Sequence, residues 1–155
     1  MTQDEKFMGE ALKEAGKAAA GGEVPIGSVI VSRGKILARG HNQPIGKHDP
    51  TAHAEIVAIR KASAKLKTFD LSECEIYTTC EPCPMCLAAI LWARIGRVYF
   101  GCTRKDAERA GFDDRVFHDV LAGRARPPLE AEPLLSADCL TLFSEWAAKA
   151  DKVRY

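Results

Sequence analysis

The sequence has neither an excess of one charge nor a long apolar run. Its 22 lysine and arginine residues nearly balance 21 aspartate and glutamate residues, giving a formal net charge of +1. Nucleic-acid-binding proteins usually carry a basic surface, so this balance argues against a nucleic-acid partner. No apolar stretch approaches the roughly 20 residues that cross a bilayer, and the polar start Met1–Lys6 is unlike a signal peptide. We therefore expect a cytoplasmic protein with no membrane partner.

Aromatic residues are scarce at 7%, whereas cysteine occurs six times in 155 residues. Without an export signal, closely spaced thiols indicate metal binding in a reducing compartment rather than disulfide bonds. The length and the hydrophobic fraction of 46% suit one domain with a single core. We therefore expect one metal-binding domain over residues 1–155.

Helical and strand patterns alternate along the chain. An amphipathic helix begins near Asp4, and a β-branched hairpin follows between Val24 and Arg39. Further helices are predicted over 51–66, 85–93, 105–109, 115–121 and from about 136 onward, with strands over 75–79, 98–101 and 129–135. This order predicts a three-layer α/β/α fold, in which helices flank a mixed central sheet. The helix over 85–93 is nearly all apolar, so we expect it to be buried on most sides.

The segment from Thr79 to Cys86 carries two thiols at the start of a helix. Cys83 and Cys86 are three residues apart, a spacing that points both side chains to one side of the first turn. The partial positive charge at a helix N-terminus favours thiolates, the form that binds metals. His53 brings the number of protein ligands to three, and Zn²⁺ accepts this mixed set with its fourth position open to water. The pattern therefore predicts one catalytic Zn²⁺ per chain.

Glu55 lies two residues after His53 and supplies a carboxylate to the same site. Two thiolates offset the charge of the ion, so its water is less acidic than in an all-histidine site. A nearby base is then required, and Glu55 is placed to accept the proton and pass it to the substrate. The combined pattern, His-x-Glu followed by Pro-Cys-x-x-Cys, is the established signature of the zinc deaminases.

Other interpretations of the cysteines stay open at this stage. Cys80, Cys83 and Cys86, together with His53, match a closed structural site in which the protein occupies all four zinc positions. A redox-active dithiol is a weaker alternative, because it leaves His53 and Glu55 without a role. The other cysteines are expected to be small buried hydrophobic residues, and the other histidines to lie in loops or at the surface. These residues are Cys74, Cys102 and Cys139, and His41, His48 and His118.

The chain resembles the cytidine deaminase-like zinc superfamily almost from end to end. The zinc motif and short segments on either side of it carry the resemblance. These segments are Pro25-Ile26-Gly27, His41-Asn42, Thr51-Ala52-His53-Ala54-Glu55, Ala58-Ile59-Arg60, Cys80-Glu81-Pro82-Cys83-Pro84-Met85-Cys86 and Trp92-Ala93-Arg94. Deaminases of cytosine, cytidine, deoxycytidylate and tRNA adenosine share the zinc motif. The motif alone therefore indicates the superfamily and leaves the substrate open.

The segment Ala110-Gly111-Phe112-Asp113-Asp114 narrows the choice of substrate. It looks like the corresponding segment of bacterial guanine deaminases, whereas the tRNA adenosine deaminases carry a different sequence there. The resemblance thus implies hydrolysis of guanine to xanthine and ammonia. The alternatives are a deaminase of guanosine or another small amino-heterocycle, and then a tRNA adenosine deaminase. A non-catalytic structural zinc module is the alternative from a different class.

The resemblance also implies roles for individual site residues. It implies His53, Cys83 and Cys86 as the zinc ligands. It implies Glu55 as the proton shuttle of the reaction, and Asp114 as a second acid for substrate recognition or proton transfer.

Beyond these residues, the resemblance implies Asn42 as a hydrogen-bonding group for the purine. Guanine presents N–H donors along its Watson–Crick edge, and a carboxylate such as Asp114 accepts from donors of this kind. Phe112, with Trp92 and Tyr155 as further candidates, would cover the apolar faces of the ring. For Trp92 we favour a position in the core.

Relatives in this family exchange a C-terminal segment between the subunits of a dimer, and the final tyrosine reaches the partner's active site. Tyr155, the last residue here, matches that position. The arginine- and proline-rich turn over 124–128 would then be the point at which residues from about 129 to 155 extend away from their own subunit toward the partner. The resemblance therefore implies a homodimer with exchanged C-terminal segments.

Overall fold

The computed structural model describes residues 1–155, which form seven helices and four strands. In chain order these are α1 (Gln3–Ala20), β1 (Gly27–Ser32), β2 (Lys35–His41), α2 (Pro44–Lys47), α3 (Ala54–Leu66), β3 (Cys74–Cys80), α4 (Pro84–Trp92), β4 (Arg97–Cys102), α5 (Arg104–Arg109), α6 (Arg115–Leu121) and α7 (Ser136–Ala148). The strands form one sheet in the order β2-β1-β3-β4. β1 is antiparallel to β2 and β3, whereas β3 and β4 are parallel. The sheet is therefore mixed, as predicted.

Successive residues of β1 face opposite sides of the sheet. Val29 and Val31 pack with Ala11 of α1, whereas Ile30 packs in the larger cluster that contains Ala58 of α3. The period of two residues along a strand explains this alternation. One helix layer is thereby buried on each face, and the predicted three-layer α/β/α fold is confirmed.

Two glycines allow helices to approach the sheet closely. A Cβ atom on Gly27 would lie 2.2 Å from the carbonyl oxygen of Ala11, and one on Gly40 would lie 2.3 Å from that of Ala54. Any side chain at these positions would collide with helix backbone. The start of α3 therefore lies directly against the end of β2.

Residues 129–135 do not form the predicted strand. They run as irregular, exposed backbone that leads into α7. Pro133 lacks the N–H that a strand ladder needs, and Leu135 adopts a left-handed conformation with φ of 52°. The segment is therefore apolar enough for a strand, but its backbone cannot form the hydrogen bonds of a sheet.

Helix α4 is less buried than its apolar sequence predicts. Cys86 and Ile90 face the core, but Leu87, Leu91 and Trp92 are exposed. The core position predicted for Trp92 is therefore wrong, since 63% of its surface is accessible. Apolar surface of this extent is typical of a face that another chain covers.

No residue after Ile95 is buried, although more than a third of the chain follows it. We call residues 1–102 the N-terminal region and residues 103–155 the C-terminal region. In the C-terminal region, α7 exposes large apolar side chains that include Leu140, Leu142 and Phe143. No helix of the structure combines the length and the apolarity of a membrane span.

Candidate metal centre and active site

Two cysteines lie at the first turn of α4. β3 ends at Cys80, and the chain then turns so that Cys83 takes the N-cap position with an extended backbone. Pro84 follows at the first helical position, where its missing N–H costs no hydrogen bond. Cys86 lies nearly one turn further along the same side of the helix. Both thiols are buried together in a cluster with Ile56 of α3.

His53 approaches the cysteines from the N-cap of α3. Its Nδ1 atom lies 3.6 Å from the Sγ of Cys83 and 3.6 Å from the Sγ of Cys86. Tetrahedral zinc with ordinary Zn–S and Zn–N bond lengths separates sulfur and nitrogen ligands by about 3.6 Å. The three ligand atoms all lie within 4.8 Å of one another. The group is therefore positioned to bind one zinc ion, and a tetrahedral ion keeps a fourth position for a non-protein ligand.

The cluster favours a thiolate through its own hydrogen bonds. The hydrogen bonds with Cys86 and His53 hold the pKa of Cys83 far below the usual range of a thiol, although burial opposes this shift. The same bond to Cys83 raises the pKa of Cys86, and a bond to Cys83 raises the pKa of His53. Because metals bind the deprotonated forms of these ligands, a bound cation would displace the shared protons.

Glu55 is almost completely buried beside the cluster. Its Oε2 accepts a hydrogen bond from the Sγ of Cys86 at 3.4 Å, and its Oε1 accepts one from the hydroxyl of Thr78 at 3.3 Å. Thr78 in turn accepts a hydrogen bond from Ser28 at 2.9 Å, so groups on β3 and β1 fix the carboxylate. Burial raises the pKa of Glu55, which suits a group that accepts and releases protons near neutral pH.

Asn42 joins the end of β2 to the start of α3. Its backbone N–H donates to the carbonyl of Ile26 at 3.0 Å, and its side-chain Oδ1 accepts from the N–H of Ala54 at 2.8 Å. The side chain thus caps a helix whose N-cap residue, His53, makes no capping bond of its own. The Nδ2 group makes no hydrogen bond within the chain, so it is free to donate to a bound molecule.

The segment before α6 brings Phe112 to the metal cluster. The centroid of its ring lies 6.0 Å from that of His53, and the ring packs against a small cluster that includes Ile26 and Cys80. Asp114 follows two residues later with 14% of its side chain exposed. Its charge adds to burial in raising the pKa of the Cys80 thiol. Both predicted residues of this segment therefore lie near the metal motif.

Tyr155 lies away from the metal cluster of its own chain. Its ring centroid is 6.1 Å from that of Phe69 and 5.7 Å from that of Trp92. Trp92 ends α4, about 13 Å along the helix axis from Cys83. Within a single chain, the structure does not bring Tyr155 to the predicted substrate site.

The other cysteines are separate from the metal cluster. Cys80 packs against Ala54, and burial raises its pKa to about 12, which disfavours the thiolate that a metal needs. The closed four-ligand site therefore lacks its fourth protein ligand. Cys74 is buried as expected, but Cys102 and Cys139 are exposed, contrary to the prediction. They lie on the edge strand β4 and on the exposed helix α7.

Sequence reasoning missed two contacts that support predicted site residues. Thr78 bonds the carboxylate of Glu55, and its only sequence signal is a polar residue within a buried strand. His118 lies on α6, within the helix predicted over 115–121, with its Nε2 3.0 Å from the Oδ2 of Asp114. The spacing of four residues, at which helical side chains meet, is the signal that could have revealed this pair.

Residues 1–102 match the cytidine and deoxycytidylate deaminase zinc-binding region, a family defined by sequence. The match contains the whole His53, Cys83 and Cys86 group together with Glu55. The chain belongs to this deaminase family. The family match ends where the C-terminal region of this deaminase begins.

Two kinds of relative differ in how much of this deaminase they match. Guanine deaminase of Bacillus subtilis (strain 168) is 41% identical over 132 residues, which are 84% of this chain and 85% of that protein. The tRNA-specific adenosine deaminase of the same strain is 48% identical over 101 residues, which are 65% of this chain and 63% of that protein. The second relative is thus more similar over a shorter part of the chain.

Two solved structures also differ in how much of this chain they cover. The X-ray structure of guanine deaminase from Bacillus subtilis superposes with a TM-score of 0.88 at 39% identity, and covers 97% of this chain and 98% of that chain. A structure from a study of A-to-I editing by tRNA A34 deaminases superposes with a TM-score of 0.65 at 39% identity, and covers 83% of this chain and 88% of that chain. At equal identity, the guanine deaminase has the more similar structure.

Proposed function

We propose that this deaminase hydrolyses guanine to xanthine and ammonia. The structural match to a guanine deaminase over 97% of the chain carries the proposal. The segment Ala110-Gly111-Phe112-Asp113-Asp114 supports the same choice, because Phe112 lies against the metal ligand His53.

His53, Cys83 and Cys86 would hold the zinc ion. When bound, zinc supplies an activated water near neutral pH and orients it beside the substrate. The ligand cysteines are free thiols, which suits a reducing compartment, so we place the protein in the cytoplasm.

Glu55 moves the protons of the reaction. Its carboxylate takes a proton from the attacking water, whose oxygen forms a bond to C2 of guanine. It delivers that proton to the adjacent ring nitrogen. It then takes the proton of the hydroxyl group now bound to C2 and delivers it to the exocyclic amine, so that the C2–N bond breaks, the C2 carbonyl of xanthine forms and ammonia leaves. One water is consumed and one ammonia is released, and no oxidant or reductant is needed. The bonds from Thr78 and Cys86 hold the carboxylate in place for both transfers.

Residues outside the zinc motif would recognise the purine. Asn42 offers its unbonded Nδ2 group to a ring acceptor. Asp114 offers a carboxylate to the N–H donors of guanine, as a second acid for recognition or proton transfer. Phe112 offers an apolar surface to one face of the ring.

We further propose a homodimer in which residues 129–155 of each chain lie on the partner. The exposed apolar side chains of α7, such as Phe143, and those of α4, such as Leu91, support this proposal because both need cover from water. The exchange would carry Tyr155 toward the partner's substrate site, a position that it does not take within its own chain. The single domain of residues 1–155 would then be completed by two chains.

Ammonia release from a panel of substrates tests the proposed reaction. Zinc-loaded protein is incubated with guanine, guanosine, cytosine, cytidine or an anticodon stem-loop RNA, and Glu55→Gln protein serves as the blank. The proposal predicts ammonia from guanine alone, and none with the variant. Ammonia from guanosine or the RNA in place of guanine would retain the chemistry and reject the substrate. No ammonia from fully zinc-loaded protein would favour a non-catalytic zinc module.

A further inference from the structure

We propose that His118 is a positioning residue, which orients the carboxylate of Asp114 toward the substrate. The inference rests on the guanine deaminase function proposed above. It assigns a role to a residue outside the zinc motif and outside the segment that ends at Asp114.

The contact between the two side chains is short and directional. The Nε2 atom of His118 lies 3.0 Å from the Oδ2 atom of Asp114, with 25% and 14% of the two side chains exposed. A carboxylate only accepts hydrogen bonds, so Nε2 carries the proton and donates it. The other oxygen, Oδ1, makes no hydrogen bond within the chain. His118 thus fixes one oxygen of Asp114 and leaves the other for an N–H donor of the purine.

The side chain of Asp114 does not cap α6, although Asp114 lies at the N-cap position. An aspartate at this position commonly bonds a backbone N–H. Asp113 does this work instead, because its Oδ1 accepts from the N–H of Arg115 at 2.9 Å and its Oδ2 accepts from the Arg115 guanidinium at 3.2 Å. An N-cap aspartate that leaves the capping bond to the preceding residue departs from the usual local pattern, and such departures are expected at functional sites.

His118 also keeps the Asp114 carboxylate from forming ion pairs with nearby cationic side chains. Asp114 and His118 line a crevice of about 140 Å³ in which every lining side chain is charged or titratable. Arg124 of this crevice is paired with an acid, whereas Arg104 and Lys105 make no ion pair. Without the histidine, the Asp114 carboxylate would be free to rotate toward these cations and away from the substrate.

A double-mutant cycle measured on guanine deamination tests the inference. His118→Phe removes the donor, and we expect it to lower kcat/KM by roughly 10- to 100-fold, the effect of one charged hydrogen bond. Because His118 acts through Asp114, the double variant with Asp114→Asn should be no slower than Asp114→Asn alone. His118→Gln retains an N–H near the position of Nε2 and should recover most of the loss. His48→Asn, in an exposed loop, is the matched control and should be unchanged.

The possible results separate the inference from the function on which it rests. Wild-type protein without guanine deaminase activity would overturn both. An active wild type with unchanged kcat/KM in His118→Phe, or with additive losses in the double variant, would overturn the role of His118 alone. Melting temperature and zinc content should stay at wild-type values in both His118 variants. A loss of activity that follows a loss of stability or zinc, and is not rescued by His118→Gln, would make the histidine merely structural.

Discussion

The N-terminal and C-terminal regions of this chain differ sharply in how they are buried. All 32 buried residues lie in the N-terminal region, which holds the complete sheet and the metal ligands. The C-terminal region contains no buried residue, yet it carries Phe112, Asp114 and Tyr155. The sheet and the candidate metal ligands therefore lie within one region, whereas the other region, like α4, needs a further surface to cover its apolar side chains.

The same division separates the zinc-binding region of the family from the segment that carries Phe112 and Asp114. The family match ends at residue 102, so it contains the His53, Cys83 and Cys86 group with Glu55 and excludes Phe112 and Asp114. We infer that the C-terminal region contributes the residues that distinguish one substrate from another. Changes in the metal-binding group or in Glu55 should then abolish the chemistry, and changes in the C-terminal region should alter assembly and substrate use.

Removal of a zinc ligand should have the largest effect. Cys86→Ala leaves two ligand atoms in the cluster, so we expect the zinc content to fall from one per chain to near zero and ammonia release to become undetectable. Metal analysis of the purified protein measures this directly. Cys80→Ala is the matched control and should retain its zinc, because Cys80 lies outside the cluster. Equal loss of zinc from both variants would instead support the closed structural site with Cys80 as a fourth ligand.

Glu55→Gln should have the next largest effect. It keeps the shape of the buried side chain and removes the proton acceptor, so we expect kcat to fall roughly 10²- to 10⁴-fold on guanine. Zinc content and melting temperature should change little, which separates this variant from Cys86→Ala. Full activity in Glu55→Gln protein would mean that another group moves the protons.

A charge on the exposed face of α7 should break the proposed dimer. Phe143 is 72% exposed in a single chain, and we propose that a partner covers it. Phe143→Asp should weaken the dimer at least tenfold, because it places a charge in an apolar contact. Light scattering at several concentrations measures the change, and guanine activity should fall with the dimer while zinc is retained. Leu12→Asp, at an exposed position on α1, is the control and should stay dimeric.

The smallest expected effect concerns acid stability within the N-terminal region. Burial alone would raise the pKa of Glu14, but hydrogen bonds from Lys17 and His41 lower it below its ordinary value of 4.5. A lowered carboxyl pKa adds stability above the unfolded value, and this stability is lost as the pH falls through the folded value. Glu14→Gln should therefore melt lower than wild type at pH 7, by roughly 2–5 °C. The difference should shrink below about pH 4.5, and a constant difference would contradict the assignment.

Much of the N-terminal region could be predicted from sequence because its signals are local. The alternation of Val29, Ile30 and Val31 fixes which side chains face each helix layer. The spacing of Cys83 and Cys86 at a helix start fixes two of the metal ligands. Contacts between distant segments were harder to predict, since nothing near Thr78 in the sequence indicates that it bonds Glu55.

The exposed apolar surfaces of α4 and of the C-terminal region could be predicted less well, because composition does not reveal what covers an apolar residue. Hydrophobicity alone predicts that the helix holding Leu91 and Trp92 is buried on most sides, yet a single chain leaves both residues exposed. The same limit applies to residues 129–135, where proline prevents an apolar segment from pairing as a strand. Residues that pack only against a partner chain are as apolar as core residues, but within one chain no other residues cover them.

The most direct test of this division is complementation between two inactive chains. Glu55→Gln and Tyr155→Ala proteins are co-expressed with different tags, and the mixed dimer is purified through both tags. If Tyr155 completes the partner's site, each mixed dimer has one intact site, and guanine activity should return to about half of the wild-type value. If Tyr155 serves its own chain, neither site of the mixed dimer is intact. Activity no higher than that of the two parent variants would therefore contradict the exchange and the division of roles between the two regions.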